Sequence, residues 1–168
     1  TFAPLKRFVM KKNVLFFVLM LSCLFGFGQT VNIGDILCTD GIIVKPAHWP
    51  CGKTAKGIVF YVDDSHLHGY AVSLTQSGPM KWSASTNDVQ QLPNQTHWRD
   101  AIHDFNGLNN TQIIRQQQNS NANTYPAAWA NNVDPSNGWY LPSAGQVNLL
   151  YGELMDVNAS LTLVGGTL

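Results

Sequence analysis

The run Gly138-Trp139-Tyr140-Leu141-Pro142-Ser143, followed at once by Ala144-Gly145-Gln146-Val147-Asn148-Leu149-Leu150-Tyr151, constrains this chain more than any other stretch. It predicts a strand that stops at Pro142, which has no N–H to give a ladder, and then a helix. Ser143 and Gln146 have the spacing of a capping box: the hydroxyl satisfies an early helical N–H and the amide reaches back to the cap. Val147, Leu150, Tyr151 and Leu154 follow at i, i+3, i+4 and i+7 and predict one buried stripe. Trp139, in the strand that feeds the helix, is expected in the core. A strand passing directly into an amphipathic helix places the chain in the α+β class.

Upstream, Gly57-Ile58-Val59-Phe60-Tyr61-Val62 is a β-branched and aromatic run, and Tyr70-Ala71-Val72-Ser73-Leu74 returns after the polar stretch Asp63 to Gly69. Together they predict a β-hairpin. Lys81-Trp82-Ser83 reads as a short extended segment. Thr96 stands as an N-cap before Trp98, Ala101, Ile102 and Phe105, and Asn106-Gly107 as a stop, which predicts an amphipathic helix of about ten residues. Thr111 opens a second, more polar helix, and the Gln/Asn-rich stretch from Gln116 to Asn123 reads as its frayed end and a loop. Tyr125 to Ala130 is a short helical turn entered through Pro126. Asn158 to Leu161 begins a last helical piece, which Gly165-Gly166 ends.

The N-terminus reads as an export signal. Lys11-Lys12 precedes the apolar run Val14 to Phe27, and Gly26 and Gly28 supply small residues for cleavage before Gln29. Met10 is then the natural start, with residues 1–9 as upstream sequence, 10–28 as signal peptide, 29–56 as an N-terminal leader of turns with a short strand around Gly41-Ile42-Ile43-Val44, and 57–168 as the folded domain. Val14 to Phe27 is short for a bilayer span, so no transmembrane segment is expected after cleavage. Cys23, behind Met20-Leu21-Ser22, makes a partial lipobox, and lipidation there is the alternative to cleavage at Gly28.

Removing the signal leaves six Lys and Arg against ten Asp and Glu, a net charge of −4. Charged residues make up only 12% of the chain against 45% hydrophobic. A weakly charged, mildly acidic surface argues against nucleic acid and anionic membranes, both of which call for clustered Lys and Arg. Eighteen Phe, Trp and Tyr side chains (eight, five and five) supply ample apolar area for one ordered domain. Cys38 and Cys51 survive cleavage. In an oxidising compartment an even pair reads as one disulfide, with two unpaired thiols as the alternative.

The residue patterns point to no catalytic group. Ser65, Ser83 and Ser143 lack a base partner at any recognisable spacing, and Ser143 is committed to its cap. Glu153 has no second carboxylate placed for glycosidase chemistry. Asp63, Asp64, His66 and His68 alternate around a turn like metal ligands, but a solvated hairpin tip has the same pattern, and no metal or cofactor is expected. Trp49, Trp82 and Trp129 are the candidate ligand-binding residues, able to stack on a sugar or grip a protein; the competing reading for each is a core position.

Four ordered stretches carry a resemblance: Gly57 to Asp64, Thr96-His97-Trp98-Arg99-Asp100-Ala101, Thr124-Tyr125-Pro126-Ala127-Ala128 and Gly138 to Gln146. From about Ile33 onward the chain resembles a large family of exported proteins of gut Bacteroidetes of the major paralogous domain type. That resemblance implies a C-type lectin-like variant of the α+β class. Family members continue past a Val-Gly-Gly-Thr segment like Val164-Gly165-Gly166-Thr167 into Trp- and Tyr-rich strands, so the chain resembles about the first two-thirds of such a domain. The Glu-Pro-Asn and Trp-Asn-Asp triplets of calcium-dependent sugar binding are absent. Formylglycine-generating enzymes share the general fold but need a reactive cysteine pair, and here both cysteines lie in the leader. The expected function is a non-enzymatic cell-surface or secreted module that binds a glycan or a protein. A structural envelope module without a small ligand is the alternative, and an enzyme of the formylglycine-generating type the distant one.

Overall fold

Ala55–Val62 alternates bulky residues between two faces and forms β3, the longest strand of a mixed α+β fold. The computed structural model describes residues 30–82, 88–118, 125–134 and 138–166. The export signal, Cys23, Ser83 and the centre of the Gln/Asn-rich loop lie outside them. Gly69–Ser73 returns as β4, antiparallel to β3, with Ile58 opposite Val72. The hairpin tip closes through the Asp63 N–H, which donates to the His68 carbonyl at 2.9 Å. Asp63 also accepts from the Ser65 hydroxyl at 2.7 Å, and this bond holds its carboxyl below the usual range.

The stretch read as a leader belongs to the sheet. Ile36–Cys38 forms β1 and Ile43–Val44 forms β2, and the strand order is β2-β1-β3-β4, antiparallel throughout. The Asp35 carboxylate, 2% exposed, fixes this corner. It accepts from the Asn32 N–H at 2.8 Å and from Lys45 Nζ at 2.7 Å, so the buried charge is paired and hydrogen-bonded.

Among the described residues five α-helices follow. They are α1 (Trp98–Ala101), α2 (Gly107–Gln118), α3 (Pro126–Val133), α4 (Ala144–Gly152) and α5 (Leu154–Val164). None is long and apolar enough to cross a membrane. Val157 and Leu161 of α5 cover one sheet face, meeting Ile36, Cys38, Val44, Ile58 and Phe60 in a single core. The Ser160 hydroxyl donates to the Gly34 carbonyl at 2.7 Å and ties α5 to the start of β1. Gly165 ends α5 in the left-handed region at φ 76°, and the Gly166 N–H returns to the Leu161 carbonyl at 2.9 Å. This is the close that an αL glycine permits.

Four expectations need correcting. The ten-residue helix from Trp98 is a four-residue turn, capped by His97 rather than Thr96. The Asp104 carboxylate stops it, accepting from the Asn106 N–H and from Asn110 Nδ2, each at 2.7 Å, and so starting α2 early. Thr111 is therefore inside α2, not at its cap. Its hydroxyl bonds back to the Gly107 carbonyl at 2.7 Å. Third, Trp139 to Pro142 forms no strand among the described residues, although the capping box that follows is present. Fourth, the helix pattern across Leu154 is broken at Glu153, which leaves Tyr151 69% exposed instead of buried.

Cys38 and Cys51, read as a disulfide, carry free thiols: Cys38 is buried within the sheet core and Cys51 is half-buried at its margin. Burial, then the neighbouring Cys51 and Asp40, pushes the Cys38 thiol above its ordinary range, while Lys53 pulls the other way. The thiolate is the reactive form, so iodoacetamide at neutral pH is expected to label Cys51 first. Cys38 should react only as the pH climbs past the usual thiol range, which peptide mapping over time can follow. Equal labelling of both at neutral pH would contradict this placement.

Candidate functional site

The clearest concavity lies at the outer edge of β4. Phe60 and Tyr70 stack at 5.9 Å between ring centroids and, with Val72, form its floor. Trp129 and Val133 of α3 form one wall, and Val147 and Leu150 of α4 the other. The segment Trp139 to Pro142 closes the back, and Ser73, Thr75, Gln76 and Ser77 make a polar rim. The enclosed volume is about 460 Å³, within the range of ligand pockets.

Local sequence explains how this cleft is held open. Pro126 at the start of α3 presets the helical backbone, and the Ala-rich face of α3 (Ala127, Ala128 and Ala130 buried) brings its backbone close to its neighbours. The Arg115 guanidinium donates to Asn131 at 2.8 Å and fixes α3 on α2. At the back, the Leu141 N–H donates to the Thr111 hydroxyl at 3.0 Å, while the Ser143 hydroxyl donates to the Asp104 carbonyl at 2.6 Å. The ring of Trp139 lies over Gly57, where a Cβ would stand only 2.9 Å from it.

Gln146, 2% exposed, is fully engaged: its Oε1 accepts from the Ser143 N–H at 3.0 Å and its Nε2 donates to the Tyr140 hydroxyl at 2.8 Å. Burial raises the Tyr140 phenol above its usual range, the bond from Gln146 opposes the rise, and nearby Tyr70 adds to it. Tyr140 is therefore a neutral donor at physiological pH, and its own proton has no acceptor among the described residues. None of the described residues lining the cleft is Asp, Glu, Lys, Arg or His. The arrangement can hold a neutral, largely apolar group, stack it on aromatic rings and donate a hydrogen bond to it.

The structure separates the three candidate tryptophans. Trp129 lines the cleft, Trp49 packs half-buried against the sheet core, and Trp82 is 61% exposed on the segment after β4. Trp139, expected in the core, instead joins Trp129, and Tyr70 and Tyr140 had no role from sequence. A strand glycine, Gly57, is the sequence signal that fits the close approach of the Trp139 ring to the sheet. Among the described residues no group of three or more His, Cys, Asp or Glu is placed to hold a metal ion. At the hairpin tip His66 Nδ1 instead meets the Val31 carbonyl at 2.9 Å. Comparison with protein-family models, curated proteins and solved structures finds no match to this chain.

Proposed function

We propose that this chain is an exported, non-enzymatic binding module of C-type lectin-like type whose ligand occupies the cleft beside β4. One observation carries the reading: a cavity of about 460 Å³ walled by Phe60, Tyr70, Trp129 and Trp139, with no charged side chain among the described residues that line it. Support from the sequence is the signal-like N-terminus and the four family-like stretches. This lining favours a neutral ligand, because an ionised group entering the cleft would lose water and meet no opposite charge among the described residues.

Glycan and peptide arrays probed with the chain test this directly. A bound ligand should lose about thirtyfold or more in affinity on Trp129→Ala, the scale of a buried aromatic anchor. Trp82→Ala, which alters a side chain outside the cleft, should leave binding unchanged. No array signal above background, or equal effects of the two substitutions, would overturn the proposal.

A further inference from the structure

We infer that the cleft is a strand-addition site: its ligand is an extended, uncharged segment of another polypeptide that pairs with β4 and seats an apolar side chain against Trp129 and Trp139. The inference rests on the cleft being the binding site and names what fills it.

The backbone directions come from hydrogen bonds on β3. The Val59 N–H donates to the Asp35 carbonyl at 2.9 Å, and the Val59 carbonyl accepts from the Gly34 N–H at 2.8 Å, so Val59 faces away from β4. Alternation then turns Lys56 and Ile58 toward β4. The Leu74 N–H donating to the Lys56 carbonyl at 3.4 Å, with Ile58 opposite Val72, agrees. Ala71 and Ser73 must therefore direct their N–H and C=O groups out of the sheet, and among the described residues nothing receives them. These two residues also line the cleft, so the free edge and the apolar cavity are one surface.

The two edges of the sheet are treated differently. β2 is only two residues long and runs straight into Lys45 and Pro46, features that block the addition of a further strand. β4 offers five residues with no charge and no proline. An edge of this kind is a ready template for pairing with another extended chain. A small apolar molecule would fill the cavity and leave the Ala71 and Ser73 groups without partners. A second extended backbone satisfies both at its own two-residue repeat and turns alternate side chains into the cavity. With no charge among the described lining residues, the inserted side chains are neutral, an aromatic or aliphatic anchor between polar or small residues.

The test selects binders from a library of acetylated, amidated, uncharged heptapeptides and then N-methylates each amide of the tightest binder in turn. Methylation should cost about tenfold at every second residue, where the amide faces β4, and little at the residues between. On the protein, Ala71→Pro removes an outward N–H that β3 does not use, and peptide affinity should fall by a similar factor, while Met155→Ala, at an exposed position of α5 outside the cleft, retains it. Tolerance of methylation at every position would overturn strand addition. So would a failure to select any peptide while an array glycan binds in a Trp129-dependent way; in that case the cleft remains the binding site and only its occupant changes. A concentration-dependent dimer abolished by Ala71→Pro would also overturn the inference, since a second copy would then be what covers the edge. Loss of every Trp129-dependent ligand would instead remove the binding site itself.

Discussion

Replacing Gly145 with alanine is expected to destabilise the fold by about 3 kcal/mol, the upper range for forcing one carbon into a packed site. Gly145 stands in the first turn of α4, where its N–H donates to the Asp104 carbonyl at 3.0 Å. A Cβ there would collide with that carbonyl and stand 2.7 Å from the Ile102 carbonyl, both backbone atoms that cannot rotate away. On the other side of the junction Gly107 has the same constraint: its Cβ would meet the Leu141 carbonyl and the Ser143 N–H at 2.9 Å each and would run into Gln146 Oε1. Gly152→Ala supplies the contrast, since nothing lies within 4 Å of its Cβ position. That substitution should be neutral or slightly stabilising in a helix. Denaturant unfolding of the variants checks both expectations. A Gly145→Ala midpoint equal to wild type would show that the segment from Ile102 to Asn106 does not pack on α4. The double variant Gly107→Ala, Gly145→Ala should be less destabilised than the sum of the two, because both crowd one junction.

Ile58→Ala is the second large effect, expected to cost about 4 kcal/mol. Ile58 is 0% exposed and packs within one cluster with Ile36 and Cys38 of β1 and with Val157 and Leu161 of α5. Truncating it removes apolar burial and leaves a hole under a helix held by few other buried side chains. Ile58→Val, which deletes one methylene at the same place, should cost about 1 kcal/mol. The two substitutions measured by chemical denaturation with an unchanged slope would locate the loss in the native core. A cost for Ile58→Ala no larger than that for Ile58→Val would mean that α5 settles onto the sheet and closes the hole.

These two sites also show what the chain discloses before folding and what it withholds. Ile58 lies in a run whose β-branched and aromatic content declares a strand, and the return through Tyr70 to Leu74 declares its hairpin. The Ser143-Gln146 cap and the Gly165 stop are equally local, each depending on residues within one or two turns. β1 had no such signal. Three residues are too few to show a period, and Ile36–Cys38 is a strand because β2 and β3 bond it on both sides. Thr111 carried a misleading one: a threonine before an apolar pair suggests a cap, yet its hydroxyl is taken by Gly107 and Leu141, the latter thirty residues away. The cleft was legible only in part. Trp129 could be picked out as an aromatic candidate, but its neighbours Phe60 and Tyr70 come from the distant β3–β4 hairpin and Trp139 from the segment before α4, and the way these pack decides that the ring faces a cavity and not the core.

The bond from Ser160 to the Gly34 carbonyl spans 126 positions of the chain, so the sheet and the helix tied to it are far apart in synthesis. A ribosome delivers the β3–β4 hairpin about eighty residues before the helix that roofs it. Through that interval Ile58 and Phe60 lack the cover of Val157 and Leu161, and exposed strands of this kind are prone to pair with neighbouring chains. The sheet face that α5 covers is closed only once Val157 and Leu161 have emerged.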